Sequence, residues 1–302
     1  MGTDAVARRL WELYEPLHAV TYFAPEARAA FVDAGLRGFW RGYFAGRAAP
    51  LGPVPAAPVT ALFFSFAPAM VARALPDVWQ RASPEQTLAA RTDGAVAALR
   101  ALLPPDPPRW AEAADLLEAA ARAAATDGRA LGAANAALPR PDDALARLWL
   151  AATVLREHRG DGHIAALVTA GLTGREALVL RDALYGGRDQ LQPNRGWTDA
   201  EWDDARRALA HRGWLDDDGR PTAAGADVHR VVEDRTDQLA AQPWSPLSPA
   251  DRTRLAELLT PLAAAAEVVI PYPNPMGVPR AGRADRASSQ ATGTDNPYIS
   301  SP

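Results

Sequence analysis

The chain has 302 residues, 48% hydrophobic and 23% charged, with a formal net charge of −4. That length suits one large domain or two modest ones, and the charge balance gives no general attraction to nucleic acid or to an anionic membrane. Cysteine and lysine are both absent, which excludes disulfides, thiolate nucleophiles, cysteine-based zinc or iron–sulfur sites, Schiff-base chemistry and a phosphate-loop lysine.

The opening segment "MGTDAVARRLWELYEPL" is charged throughout and lacks the apolar core of a signal peptide. Val6, Leu10, Leu13, Leu17 and Val20 recur at three and four residues, which predicts one helical stripe. Pro25 opens a second helix, "PEARAAFVDAGL", and Gly35 closes it. A short third helix covers "RGFWRGYFAGR", and the prolines of "AAPLGPVPAAP" predict an extended connection. The most apolar stretch, "PVTALFFSFAPAMVARAL", is interrupted by Pro58 and Pro68 and is too short to span a bilayer. A soluble, cytoplasmic protein with no membrane partner is expected.

Ser83, Pro84 and Gln86 read as a capping-box start for the next helix. After the surface connection "LPPDPPRW" come helices over "AEAADLLEAAARAAA" and "DDALARLWLAATVLREH". The latter runs into "REHRGDGH", residues 156–163, the densest run of titratable side chains in the chain. Its glycines predict a corner between two helices. Gly160 would end the first, Asp161 would cap the second, and His163 would sit in the second's opening turn, where the helix N-terminus disfavours an imidazolium.

Thr173 caps the next helix, which stops at Gly186. Thr198 with Glu201 forms a capping box ahead of "AEWDDARRALAHRG". "WLDDDGRPTAAG" reads as a short strand, an Asp-Gly turn and a second short strand, before a helix over "ADVHRVVEDRTDQLAA". Helix, helix, two-stranded wing, helix is the order of a winged helix-turn-helix. The fold expected is therefore mainly α: a multi-helix N-terminal domain over residues 1–171, a winged-helix domain over 172–267, and a Pro/Gly/Ser-rich, largely disordered tail over 268–302.

Four stretches together, "LHAVTYFAPEA", "GYFAGRAAPLG", "LREHRGDGH" and "RGWTDAEWDDARRALAHRGWL", resemble an actinobacterial family of SalK-type helix-turn-helix proteins, also described as MarR-like. The resemblance covers roughly residues 10 to 265. It implies a helix-turn-helix fold; it assigns no activity and carries over no catalytic residue.

A winged helix that reads DNA needs cations on its recognition helix and wing. Between residues 198 and 220 stand Arg206, Arg207, Arg212 and Arg220, against seven acids, and the wing tip is "DDDG". Like charge at that tip disfavours phosphate, although a homodimer would bring Arg206 and Arg207 of two copies together. The favoured reading of this unit is a packing or partner scaffold.

A second polar stretch strengthens the case for a pocket. His18 and Tyr22 are four apart and share a helical face, while Glu26 falls in the first turn of the next helix. Convergence of this motif with 156–163 would make a cavity between helices, where all-α folds commonly place sites. The candidate catalytic groups are His18, Glu26, Glu157 and His163. Tyr22, His158 and Asp161 are candidate substrate contacts, and Arg47 and Arg91 candidate anion partners. His158 and His163 are five apart, unlike the zinc-binding HExxH pair, so no metal is expected. No nucleotide-binding motif occurs, so no cofactor is expected either. The leading expectation is a small-molecule pocket protein, in enzyme form a metal-free acid/base catalyst of specialised metabolism (a cyclase, isomerase or lyase). The alternative is a ligand-responsive, DNA-binding winged-helix regulator.

Overall fold

The computed structural model describes residues 3–274, 278 and 280. The first helices are α1 (Thr3–Phe23), α2 (Pro25–Asp33), α3 (Phe39–Ala48), α4 (Ala56–Phe63) and α5 (Pro68–Ala72). Next come α6 (Pro84–Leu102), α7 (Pro107–Ala123), α8 (Ala130–Ala136) and α9 (Ala144–Thr169). The chain continues with α10 (Gly174–Tyr185), α11 (Arg188–Leu191), α12 (Asp199–His211), α13 (Ala223–Leu239) and α14 (Pro249–Ala266). The fold is mainly α-helical. Four helices start at reciprocal capping boxes, Ser83–Gln86, Thr173–Glu176, Thr198–Glu201 and Ser248–Asp251, each satisfying backbone N–H groups that an isolated helix end leaves orphaned.

Three apolar cores organise these elements. The first lies among α1, α6, α7, α9 and α14, around Leu13, Leu17, Trp149 and Trp244. The second is aromatic and joins the end of α1 to α2 through α5, around Phe23, Phe44, Phe63 and Phe66. The third holds α10, α12 and α13 against the end of α9, around Trp202, Leu209 and Val232. Helix α9 serves two of them: Leu145 to Leu155 belong to the first core, Ala166 and Leu167 to the third.

The corner expected at 156–163 is not there. Helix α9 runs unbroken through all eight residues and is capped by Asp143, whose side chain accepts from Ala146 N. The glycines serve packing instead. A Cβ on Gly162 would lie 2.0 Å from Arg129 Nη1, so the missing side chain admits a guanidinium that donates to the carbonyls of His158 (2.7 Å) and Leu239 (3.3 Å). Asp161 does cap a helix, but in trans: Oδ2 accepts the orphan N–H of Gly132 in the first turn of α8 at 2.9 Å. The connection predicted over "AAPLGPVPAAP" is likewise shorter, since a 3-10 turn covers Ala49–Leu51 and α4 begins at Ala56.

The α10–α13 unit is fastened to the body at two places. On one side Trp197 Nε1 donates to Ser65 O at 2.9 Å and Ala67 N to Arg195 O at 2.8 Å. There Gly174 meets the Phe64 carbonyl so closely that a Cβ would stand 1.9 Å away. On the other side Arg8 of α1 reaches Asp237 (2.6 Å) and Glu233 (2.8 Å) of α13, and Arg159 of α9 reaches Asp237 (2.7 Å). Between α12 and α13 the expected wing is a tight hairpin with one isolated bridge, Leu215–Pro221, and no strand occurs among the described residues. Asp216 closes it, its Oδ1 accepting from the N–H of Asp218 and Arg220. Of the segment beyond 268, Ile270, Asn274 and Val278 are buried, and most of the tail expectation lies outside the described residues. Among the described residues no single helix is long and apolar enough to cross a membrane.

An unbroken α9 makes a prediction about its glycines. Gly160 has only side-chain tips near its ideal Cβ, at 3.9 and 4.0 Å. Gly160→Ala then raises stability by up to about 1 kcal/mol in urea denaturation, the usual helix-interior gain over glycine; a helix terminus with positive φ would instead lose stability. Gly94→Ala, whose Cβ would meet Ala27 Cα at 2.8 Å across α6 and α2, costs about 1–3 kcal/mol by overpacking.

Candidate functional site

A small polar chamber sits where the first and second cores meet. Its polar wall comes from His18, Thr21 and Tyr22 of α1, Arg47 of α3, Arg91 of α6 and Glu157 of α9. Phe31, Tyr43 and the bare backbone at Gly42 and Gly46 complete it. Its volume is about 10 Å³, room on the scale of one water-sized group.

His18 and Tyr22 occupy one face of α1, their i,i+4 spacing bringing His18 Nε2 to 2.9 Å from the Tyr22 hydroxyl. His18 Nδ1 lies 2.9 Å from Thr153 Oγ1. Thr153 has one hydroxyl proton and donates it back to Trp149 O at 2.9 Å, so it must accept from His18. The tautomer follows: Nδ1 carries the proton, and Nε2 accepts from Tyr22. Burial, together with the charges of Arg156, Arg91 and Arg47, holds the imidazole well below its usual range and therefore neutral. Burial also pushes the Tyr22 phenol up.

Glu157 is the electrostatic centre. Arg47 grips it bidentately, Nε to Oε1 at 2.9 Å and Nη2 to Oε2 at 2.8 Å, and Arg156 adds a bond to Oε2 at 2.9 Å. Burial alone would raise this carboxyl; the charges of Arg156 and Arg47 and the bonds from Arg47 outweigh it and hold Glu157 far below the carboxylate range. A carboxylate so stabilised is a poor base. Arg47 also stacks over Phe63, 4.0 Å from the ring centre, and donates to the Tyr43 hydroxyl at 3.0 Å. Arg156 reaches on to buried Glu15 at 3.5 Å, which Trp11 Nε1 also contacts at 3.0 Å.

Arg91 differs from these. It is 4% exposed, lies 5.1 Å over the Trp149 ring, and donates to Gly46 O (3.0 Å) and Asn135 Oδ1 (3.1 Å). No carboxylate pairs with it, and its Nε has no hydrogen-bond partner in the protein. Burial pushes its guanidinium down to about 10, opposed by Tyr22 and Glu157. The Thr21 hydroxyl, on the same chamber, is likewise buried without a partner.

The remaining candidates lie elsewhere. Glu26 is half-buried in the first turn of α2 and does not line the chamber. His158 faces α8, where its backbone crosses Gly132, and burial plus the Arg129 charge push its ring down to about 4. Asp161, bonded to α8, is pushed up to about 6 by burial. His163 sits mid-helix rather than in an opening turn. Its Nδ1 lies 2.9 Å from Thr236 Oγ1, which itself donates to Val232 O, so this histidine too carries its proton on Nδ1. The two motifs thus converge through His18, Tyr22 and Glu157, while Glu26, His158, Asp161 and His163 serve other contacts. Sequence reasoning missed Thr153, Thr21 and Asn135. Thr153 had one available signal, its i,i+4 spacing to Glu157 on one helix.

On the α10–α13 unit, every arginine considered for DNA already faces an acid. Arg206 lies 3.9 Å from Asp203, Arg207 contacts Asp204, Arg212 contacts Glu176, and Arg220 lies 2.5 Å from Asp218. Such exposed pairs are weak, but the acids would remain beside any phosphate the arginines approached. No group of three or more His, Asp or Glu side chains among the described residues is disposed to hold a metal ion.

Comparison with known proteins gives one match. No curated protein and no solved structure matches the chain. A family described as helix-turn-helix matches residues 7–270, most of the chain and including both the chamber and the α10–α13 unit. The chain belongs to this helix-turn-helix family.

Proposed function

We propose that the protein is a small-molecule pocket protein, with its ligand held in the chamber between α1, α3, α6 and α9. The observation that carries this reading is the His18–Tyr22 pair facing a buried Arg91 that has no carboxylate partner. A polar knot serving only to lock helices has its donors matched, because an unmatched buried donor costs free energy and returns nothing. Buried donors without a partner also occur at Thr87, Arg109, Trp110 and Arg159, but Arg91 Nε and Thr21 Oγ1 belong to two residues that line one chamber.

In enzyme form the site performs cofactor-independent acid/base chemistry of the cyclase, isomerase or lyase kind. A substrate proton passes to the Tyr22 oxygen as the Tyr22 proton passes to His18 Nε2, and the negative charge left on the substrate meets Arg91. The depressed basicity of His18 restricts this relay to acidic protons. Glu157 acts through Arg47, which it orients, rather than on the substrate. His163 and Glu26 have no part at the chamber.

The second reading, a ligand-responsive regulator of the MarR-like winged-helix kind, is supported by family membership. In it the 214–222 hairpin is the wing, and α12 presents Arg206 and Arg207 to DNA. The local acids count against it, as does the fastening of the unit to the body.

Two experiments separate these readings. In a thermal-shift screen of metabolites, at least one compound raises the melting temperature by about 5 °C when present at about a hundred times its Kd. Tyr22→Phe, which itself costs about 1–2 kcal/mol, removes that shift; a panel without hits, or hits indifferent to Tyr22→Phe, contradicts the pocket. Glu157→Gln costs about 3–5 kcal/mol because it leaves buried Arg47 without a carboxylate and takes one of two from Arg156. In fluorescence anisotropy with a mixed-sequence DNA duplex, the pocket reading expects a Kd no tighter than about 10⁻⁴ M at physiological salt. Tighter binding that weakens steeply with added salt favours the regulator.

A further inference from the structure

We propose that the chamber takes the carboxylate of a singly charged organic acid, with Arg91 as its counter-ion, Thr21 as its second donor and Phe31 as the side chain it displaces. This rests on the reading of the chamber as a binding site and adds the class of ligand.

The charge comes from a local count. Arg47, Arg91 and Glu157 line the chamber; Arg156 bonds Glu157, and Glu15 pairs with Arg156. Glu157 is divided between Arg47 and Arg156, and Glu15 between Arg156 and Trp11. Among the groups that line the chamber or are ion-paired to its lining, three guanidiniums face two carboxylates, and the one without a carboxylate partner is Arg91; the buried Arg195 guanidinium adds positive charge that Arg47 and Arg156 feel from outside the chamber. A single negative charge matches Arg91 inside a low-dielectric interior, whereas a second would meet no further chamber-lining cation without a carboxylate partner.

The donors define the shape of the group. Arg91 spends Nη1 on Gly46 O and Nη2 on Asn135 Oδ1, and Asn135 is itself fixed by its Nδ2 bond to Leu131 O at 2.9 Å. Its Nε–H has no partner at all, and each Nη keeps a second N–H beyond the bond it already makes, so the guanidinium has donors to spare. The Thr21 hydroxyl, 4% exposed and unpartnered, offers another. Arg91 and the Thr21 hydroxyl, both lining the chamber, suit the two oxygens of one carboxylate.

The size defines what must move. About 10 Å³ holds little beyond a carboxylate-sized group, so the rest of the acid needs space. Phe31 supplies it. Its ring lies against Gly42 and Gly46 so closely that a Cβ at Gly46 would stand 2.7 Å from Cζ. Helix α2 carries it at the protein surface, next to Val32, which is 46% exposed. An apolar substituent of about a phenyl ring's size takes the place that Phe31 gives up.

The test is calorimetric titration of the full chain with acetate, benzoate, succinate, phosphate and the neutral isostere benzamide. Benzoate is expected to bind saturably and more tightly than acetate, with the other three binding at least tenfold more weakly. Thr21→Val weakens benzoate about tenfold while leaving the fold intact, as judged by circular dichroism. Phe31→Ala strengthens benzoate more than acetate, and keeps the proposal testable should Arg91→Gln fail to fold. Phosphate, succinate or benzamide binding as well as benzoate, with dependence on Tyr22, overturns the monocarboxylate while the chamber remains a binding site. Absence of saturable binding to the wild type and to Phe31→Ala overturns the monocarboxylate. Benzoate binding that Thr21→Val leaves unchanged overturns it too.

Discussion

The two-pronged bond from Arg47 to Glu157 is the interaction on which the polar centre of this protein depends. It ties α3 to α9 across the boundary between the first two cores, and both partners are almost wholly buried. Taking two charges out of water is costly, and such pairs add little net stability over well-packed apolar groups. What the pair supplies is position. With Glu157 held by two arginines, Arg47 is fixed over Phe63 and against Tyr43, and one wall of the chamber is rigid. Arg91 of α6, bonded to Gly46 O beside Arg47, is then the lining cation without a carboxylate.

Helix α9 explains why so much titratable chemistry is gathered in eight residues. The helix leaves the first core at Leu155 and enters the third at Ala166. Over the length between, its faces meet α3, α8, α13 and α1, and each face finds a different polar partner. Glu157 turns to Arg47, Asp161 to the first turn of α8, Arg159 to Asp237 and His163 to Thr236. The octet is a junction where one rigid rod serves several elements. Only the side of it occupied by Glu157 belongs to the chamber.

Much of the helical framework could be read from the sequence because its signals are local. Ser83–Gln86, Thr173–Glu176 and Thr198–Glu201 carry their own hydrogen-bond partners within four residues. So do His18 and Tyr22, whose contact needs only one turn of helix. The corner at 156–163 misled because glycine's helix cost, about 1 kcal/mol each, is a weak preference that packing overrides. The reason for Gly162 lies in Arg129, and nothing in the local sequence announces it. The tautomer of His18 depends on Thr153, 135 residues away, and the isolation of Arg91 depends on where every carboxylate went. These are consequences of the assembled fold. The wing was legible as a turn, through its Asp-Gly pair, but the flanking residues are too few to pair as strands.

The family match spans both the chamber and the α10–α13 unit. On that unit Arg207, Arg212 and Arg220 are already engaged by neighbouring acids. The chamber lies on the body's side, where unmatched donors and unmatched positive charge coincide. The most direct measurement of that account is the nitrogen-15 NMR spectrum of the His18 ring. The account predicts a neutral ring protonated on Nδ1 from pH 5 to pH 8, because burial and three arginines oppose the imidazolium. A His18 that titrates near the usual value of about 6.5, or that carries its proton on Nε2, would contradict it.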